Sequence, residues 1–193
     1  MNRRDFLQFS LAVSALALIP ACTTASARAP RHPHPKRGLG MSTKNADWRE
    51  KLTAINAAWF YSWGPRKPEG VPAGTEFVPM VFRKTTDAGF STASAAMRSQ
   101  KSTHLLGLNE PDAAKQGNMT VEEALDFWPQ LMSLGIPLGS PGCVHPDKEW
   151  MKAFMKGVDE RRLRVDFVNV HSYGGPNADA LMKRLEAVRS LYD

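Results

Sequence analysis

The segment HLLGLNEPDAAKQGNMTVEEALDFWPQLMSL, residues 104–134, decides the fold class of this chain. It opens with the short apolar run 104–108, which is typical of a buried strand, and it ends in the helical pattern 120–134. Thr120 and Glu123 form a capping-box signature, in which a hydroxyl and a carboxylate three residues apart mark a helix start. Residues 104–134 therefore predict one strand-loop-helix unit.

The same unit recurs along the chain. Further strands are predicted at 38–41, 57–63, 77–82, 137–140 and 165–170, and further helices at 47–54, 91–99, 148–156 and 179–192. The strands are too apolar to leave one face wet, which indicates a parallel sheet covered by helices. The predicted class is therefore α/β.

The choice between an open sheet and a barrel depends on loop chemistry and length. No glycine-rich phosphate loop follows a predicted strand, which disfavours a nucleotide-binding open sheet. A (β/α)8 TIM barrel takes ~250 residues, and residues 38–193 hold about six of its eight units. We therefore expect the N-terminal part of a barrel, ending before strand seven.

Composition and charge restrict the partners. The chain has 42% hydrophobic and 23% charged residues, as expected for a globular protein, and a net charge of +6. Part of the basic excess lies in residues 28–37, and beyond them the charges alternate in sign without a basic stripe. Nucleic-acid binding is therefore not predicted.

The N-terminus has the pattern of an export signal. Arg3 and Arg4 precede a mostly apolar run, residues 6–21, which is shorter than the ~20 residues that span a bilayer. The run ends at Cys22 in a sequence similar to a lipoprotein cleavage box, so residues 1–22 are predicted as a twin-arginine or lipoprotein signal. Cleavage after residues 25–27 is the rival, and a buried N-terminal helix is the other alternative.

Residues 23–37 are rich in small residues, proline and charge, which predicts a flexible linker. The expected location is the periplasm or cell envelope, with lipidation of Cys22 favoured and membrane contact only through the signal or the lipid anchor.

Neither a metal site nor a cofactor site is predicted. The histidines are scattered without ligand spacing, and Cys143 has no histidine base beside it in the sequence. Cys143 is interpreted as a small buried hydrophobe.

The strongest chemical signal is the Asn109-Glu110-Pro111-Asp112 sequence after the strand 104–108. In a barrel, reacting groups lie at the carboxyl ends of strands. A partly desolvated carboxyl such as Glu110 can keep its proton and donate it to a glycosidic oxygen, and Asn109 can hydrogen-bond a sugar hydroxyl. The alternative is a helix start, with Asn109 as its cap.

Aromatic and polar-tipped side chains follow other predicted strands. Trp59, Tyr61 and Trp63 alternate, so all three face one side of their strand, and those at its end can stack on sugar rings. Trp59 is interpreted as core, whereas Trp63 lies where a loop begins. His171 and Tyr173 share one side after the strand 165–170, with a satisfied core histidine as the alternative for His171.

Together these motifs resemble the glycosyl hydrolase catalytic core of glycoside hydrolase family 128. The resemblance is carried by residues 59–65, 77–80, 106–112, 128–129, 140–141 and 165–174. It implies a (β/α)8 barrel, a retaining mechanism and β-1,3-glucan-like substrates.

Carried over by position, the resemblance implies that Glu110 is the acid/base and Asn109 its sugar-binding neighbour. His171 and Tyr173 would line the cleft near the nucleophile. The family's nucleophile is a glutamate at the end of strand seven, so residues 1–193 alone are expected to be inactive. Ser172 stands where the family often has tryptophan.

The sequence is compatible with three functions. The first is an exported retaining glycoside hydrolase acting on a β-glucan. The second is a non-catalytic glycan-binding envelope lipoprotein derived from the same barrel, and the third is an envelope module that contacts protein instead of sugar. The oligomeric state is not predicted.

Overall fold

The computed structural model describes residues 35–192. The predicted signal, residues 1–22, lies outside the described residues, as does most of the predicted linker. None of the helices among the described residues combines the length and the apolar character needed to cross a bilayer.

A small parallel sheet begins the described chain. Its strands are β1 (Gly38–Gly40), β2 (Trp59–Tyr61) and β3 (Glu76–Phe77), in the order β1-β2-β3. Phe60 pairs with Leu39 on one side and with Phe77 on the other. The α/β class predicted from the sequence is therefore confirmed.

Parallel pairing continues after β3 as single bridges. They join Met80 to Leu106, Leu105 to Leu138, Asn109 to Gly142 and Gly139 to Phe167. The segments predicted as strands at 104–108, 137–140 and 165–170 therefore lie in parallel register but form no extended ladder, and β3 is shorter than the predicted 77–82. Pro79 lies in the predicted strand 77–82 and Pro137 in the predicted strand 137–140, and neither residue can donate a ladder hydrogen bond.

Five helices alternate with these segments in the described chain. They are α1 (Trp48–Ala54), α2 (Asp87–Ser99), α3 (Val121–Met132), α4 (Glu149–Glu160) and α5 (Ala178–Tyr192). The predicted capping box is present at α3, where Thr120 accepts from the Glu123 N–H and Glu123 accepts from the Thr120 N–H. Helix α2 begins four residues before the predicted Ser91 because the Thr86 hydroxyl caps it by accepting from the Gly89 N–H.

Two apolar clusters fill the space between sheet and helices. The larger one includes Leu105, Leu108 and Leu138 from the parallel segments, packed against Trp128 of α3 and Phe154 of α4. The smaller one surrounds β1 to β3 and includes Trp48, Leu52, Phe60 and Phe77. Because the segments run parallel, their carboxyl ends meet at one edge of the sheet.

Candidate functional site

Glu110 lies at this edge, held by the backbones of two neighbouring segments. Its N–H donates to the Gly142 carbonyl at 2.9 Å, and the Asn109 N–H donates to the Phe82 carbonyl at the same distance. Glu110 is 4% exposed and has a φ of 42°, a left-handed conformation that costs free energy in a non-glycine residue. Its position is therefore imposed by the surrounding backbone.

A series of turns follows Glu110. The Glu110 carbonyl accepts the N–H groups of Ala113 and Gly117, each at 3.1 Å, and helix α3 starts only at Val121. The alternative prediction of a helix start at the Asn-Glu-Pro-Asp sequence is therefore wrong. Gly117 is required because a Cβ there would lie 2.3 Å from the Asn109 carbonyl oxygen.

The Glu110 carboxyl has two side-chain partners, which follow the parallel segment 165–170. His171 Nδ1 lies 2.8 Å from Glu110 Oε1, and the Tyr173 hydroxyl donates a hydrogen bond to the same oxygen. Gly142 makes room for this arrangement, because a Cβ there would lie 2.6 Å from His171 Nε2. His171 is thus paired with the Glu110 carboxyl at the edge of the sheet, with its side chain 14% exposed.

Aromatic rings border the carboxyl. Trp63 has a φ of 55° and is 39% exposed, and its ring packs edge-on against Tyr61 with the centroids 5.1 Å apart. The residue Tyr173 is 76% exposed although its hydroxyl reaches the buried Glu110. Exposed faces of Trp63 and Tyr173 are therefore available to a ligand. Trp59, in contrast, lines a separate cavity with Glu76 and Phe167.

A cavity of about 320 Å³ lies beside the Glu110 carboxyl. It is lined by Trp63, Phe82, Asn109, Glu110, Gln116 and Tyr173. Phe82 was not predicted as a site residue. The one signal that could have identified it is its position at the end of the predicted strand 77–82. Gln116 had no sequence signal, because a turn that depends on long-range contacts carries it to the cavity.

Asn109 contributes an unpaired acceptor to this region. The residue is 2% exposed, and its side-chain Oδ1 is buried without a hydrogen-bond partner. A buried polar atom without a partner is unusual and costs free energy. A hydroxyl of a bound ligand would supply the missing donor.

The negative charge of Glu110 alters the nearby titratable groups. Its hydrogen bond, followed by burial, raises the pKa of Tyr173 to about 12. Burial, followed by the Glu110 charge, raises the pKa of Tyr61. Burial and the charges of Asp112 and Glu110 also raise the pKa of the Cys143 thiol, which favours its protonated form. Cys143 is free and buried, which confirms its predicted structural role.

Removing the Glu110 charge should shift the titration of Tyr173. The proton on Tyr173 is stabilised in the folded protein, so this contribution to stability is complete below the ordinary pKa of 10.0 and is lost as the pH rises to about 12. In Glu110→Gln, absorbance at 295 nm should show Tyr173 ionising closer to pH 10, and Tyr61 should also lose the contribution of that charge. A Tyr173→Phe variant identifies that transition.

Tyr192 is the internal control for this titration, because burial raises its pKa to about 12 with smaller contributions from Cys143 and Asp147 and none from Glu110. Identical titration curves for wild type and Glu110→Gln would show that the carboxylate and Tyr173 do not interact.

No set of three or more histidine, cysteine or acidic side chains within residues 35–192 is arranged to hold a metal ion. The side chains of the described site offer a carboxyl, an imidazole, a phenol and an amide, next to exposed aromatic residues.

A buried carboxyl at the end of a parallel segment, beside an aromatic-lined cavity, is an arrangement that a carbohydrate-active protein can use. The family model described as glycosyl hydrolase catalytic core matches residues 38–193, and the chain belongs to that family. None of the curated proteins compared with the chain matches it.

Solved structures confirm the resemblance to glycoside hydrolase family 128. A subgroup I endo-β-1,3-glucanase from Amycolatopsis mediterranei, a glutamate-to-alanine variant in complex with laminaripentaose, is 38% identical with a TM-score of 0.71. The similarity covers 82% of this chain and 68% of that one. A subgroup III curdlan-specific exo-β-1,3-glucanase from Blastomyces gilchristii, in complex with glucose, is 28% identical over 83% of this chain and 71% of that one, with a TM-score of 0.67.

A subgroup II endo-β-1,3-glucanase from Sorangium cellulosum, 24% identical, supports the fold alone, with a TM-score of 0.64 over 81% of this chain and 69% of that one. The chain thus spans about two thirds of the length of these relatives.

Proposed function

We propose that this protein hydrolyses β-1,3-glucan and that Glu110 is its acid/base. The observation that carries the proposal is the buried Glu110 carboxyl, which contacts His171 and Tyr173 and lines a cavity bordered by aromatic rings. The family relationship supports a glycosidase, and the relatives named above are β-1,3-glucanases. Substrate oligosaccharides would lie across Trp63 and Tyr61.

The reaction follows from the position of the carboxyl. Glu110 donates its proton to the glycosidic oxygen as the bond between that oxygen and the anomeric carbon breaks. A second carboxylate bonds to the anomeric carbon, and Glu110, now a base, takes a proton from the water that displaces it. The buried Oδ1 of Asn109 would accept a hydrogen bond from a sugar hydroxyl beside the reacting carbon.

The retaining mechanism needs two carboxyls about 5–5.5 Å apart. Glu110 is the one acid among the described residues that line the cavity, and Asp112 hydrogen-bonds the N–H groups of Val144 and His145. The proposed nucleophile is therefore a carboxylate outside the described residues.

The proposed architecture is a (β/α)8 barrel to which residues 38–193 contribute six β/α units. The parallel bridges after β3 support it, because they connect three further segments to the sheet in chain order. We also propose export to the periplasm or cell envelope, with Cys22 as a lipidation site. The arginine pair and the apolar run that precede Cys22 support this location.

The second candidate is a non-catalytic glycan-binding envelope lipoprotein. One observation favours it, namely that Trp63 and Tyr173 are exposed beside the cavity, where they can bind a sugar whether or not a second carboxylate is present. In that case the exposed rings of Trp63 and Tyr173 would bind glucan without cleaving it.

Incubation of laminaripentaose with a purified protein that includes the proposed nucleophile separates these functions. We expect calorimetry to detect binding and product analysis to detect shorter oligosaccharides, with cellopentaose as the matched control of equal length and different linkage. Binding without cleavage would favour the second candidate. Neither binding nor cleavage of laminaripentaose would contradict both.

A further inference from the structure

Asp112 lies two residues after Glu110 and connects two loops at the sheet edge. Its Oδ1 accepts the Val144 N–H at 3.0 Å, and its Oδ2 accepts the His145 N–H at 2.9 Å. Both carboxylate oxygens are thus used by backbone donors more than thirty residues away. We call these three residues, Asp112, Val144 and His145, the Asp112 clamp.

The Asp112 clamp adds to the backbone pairing that holds Glu110. On the same two segments, the Glu110 N–H donates to the Gly142 carbonyl at 2.9 Å, and the Gly142 N–H donates to the Leu108 carbonyl at 2.8 Å. These backbone bonds pair the segments up to Glu110 and Gly142, and the Asp112 clamp extends the connection past both residues. Charge-assisted bonds of this kind are stronger than those between neutral groups.

Two features of the site depend on how these two segments are held together. Glu110 has a φ of 42°, and such a conformation persists only when its surroundings impose it. The His171 ring packs against Gly142, where a Cβ would lie 2.6 Å from Nε2, so the separation of the two segments also sets the distance between His171 and Glu110.

We propose that Asp112 is a positioning residue that holds the Glu110 carboxyl in its reactive place. The residue acts through the backbone of the loops, and its own carboxylate is occupied by the Val144 and His145 N–H groups. The catalytic part of this inference rests on the proposed function, whereas the effect of the Asp112 clamp on the local backbone does not.

The test compares Asp112→Asn with Asp166→Asn. Asp166 is the control because its Oδ2 accepts the Leu138 N–H at 2.7 Å, four residues before Gly142 on the same segment. The same oxygen also accepts a hydrogen bond from the Arg164 guanidinium, which lies away from Glu110. An asparagine at either position keeps the size of the side chain and one acceptor oxygen but loses the charge. Asp112→Ala removes the Asp112 clamp completely, and Asp112→Asn remains informative if that variant fails to fold.

Amide hydrogen exchange measured by NMR is the first readout. In Asp112→Asn the Glu110 and Gly142 N–H groups should exchange about 10-fold faster than in wild type, since a tenfold change in an opening equilibrium is expected from losing one such bond. In Asp166→Asn the faster exchange should be at Leu138. Unchanged exchange at Glu110, or an equal increase in both variants, would overturn the proposal.

Steady-state hydrolysis of laminaripentaose, corrected for the folded fraction, is the second readout. Asp112→Asn should lower kcat about 10-fold with KM within about twofold, because transition-state contacts are lost and substrate binding is not. Asp166→Asn should keep both constants. Equal kcat losses in the two variants would overturn the catalytic part. A wild type that neither binds nor cleaves laminaripentaose contradicts the proposed function instead, and hydrogen exchange then decides the role of the Asp112 clamp alone.

Discussion

Glu110→Gln should abolish measurable hydrolysis of laminarin while binding of laminaripentaose stays within about threefold of wild type. The amide has the shape of the carboxyl but no transferable proton, and loss of a general acid lowers kcat by about 10²- to 10⁴-fold. Binding is retained because Trp63, Asn109 and the exposed ring of Tyr173 are unchanged. Reducing-end release and calorimetry measure the two effects separately.

Glu76→Gln is the control for this variant. Glu76 belongs to β3, is exposed, and accepts a hydrogen bond from Thr103, away from the cavity that Glu110 lines. Its substitution should leave turnover unchanged. Normal turnover in Glu110→Gln would remove Glu110 from the mechanism, and loss of binding together with turnover would indicate a damaged fold.

Trp128→Ala should lower the free energy of unfolding by about 3–5 kcal/mol, a large part of the 5–15 kcal/mol typical of a domain. Trp128 of α3 is 0% exposed, and its ring meets that of Phe154 edge-on with the centroids 4.9 Å apart. Its Nε1 donates to the Arg164 carbonyl at 2.9 Å. The substitution creates a cavity and removes the donor of this hydrogen bond. Urea unfolding followed by circular dichroism measures the change.

Trp63→Ala is the matched control, because the same residue type is 39% exposed at the cavity. We expect it to cost less than about 1 kcal/mol of stability, as surface substitutions usually do, and to weaken laminaripentaose binding. Equal destabilisation by both tryptophan substitutions would contradict the assignment of Trp128 to the core and of Trp63 to the site.

Much of the fold could be predicted because its signals are local. The pattern 120–134 and the Thr120–Glu123 pair predicted α3, since both interactions lie within one or two turns of a helix. The ends of the strands were harder to predict, because backbone pairing depends on the partner segment and is interrupted by prolines. The early start of α2 at Asp87 depends on a cap from Thr86 that the apolar pattern does not reveal.

The candidate site was predicted only in part. Alternation placed His171 and Tyr173 on one side of their segment, and the structure brings both to Glu110. The cavity position of Gln116 and the bonds from Asp112 to Val144 and His145 could not be predicted, because they join segments that are far apart in the sequence.

By itself the sequence determined the α/β class, the five helices of the described chain and the residue types available for chemistry. These depend on side-chain periodicity and on capping, which act over a few residues. The tertiary structure alone decided that Glu110 is buried in a left-handed conformation beside His171. That arrangement depends on Gly142 and on backbone bonds between parallel segments, whose geometry no single stretch of the chain contains.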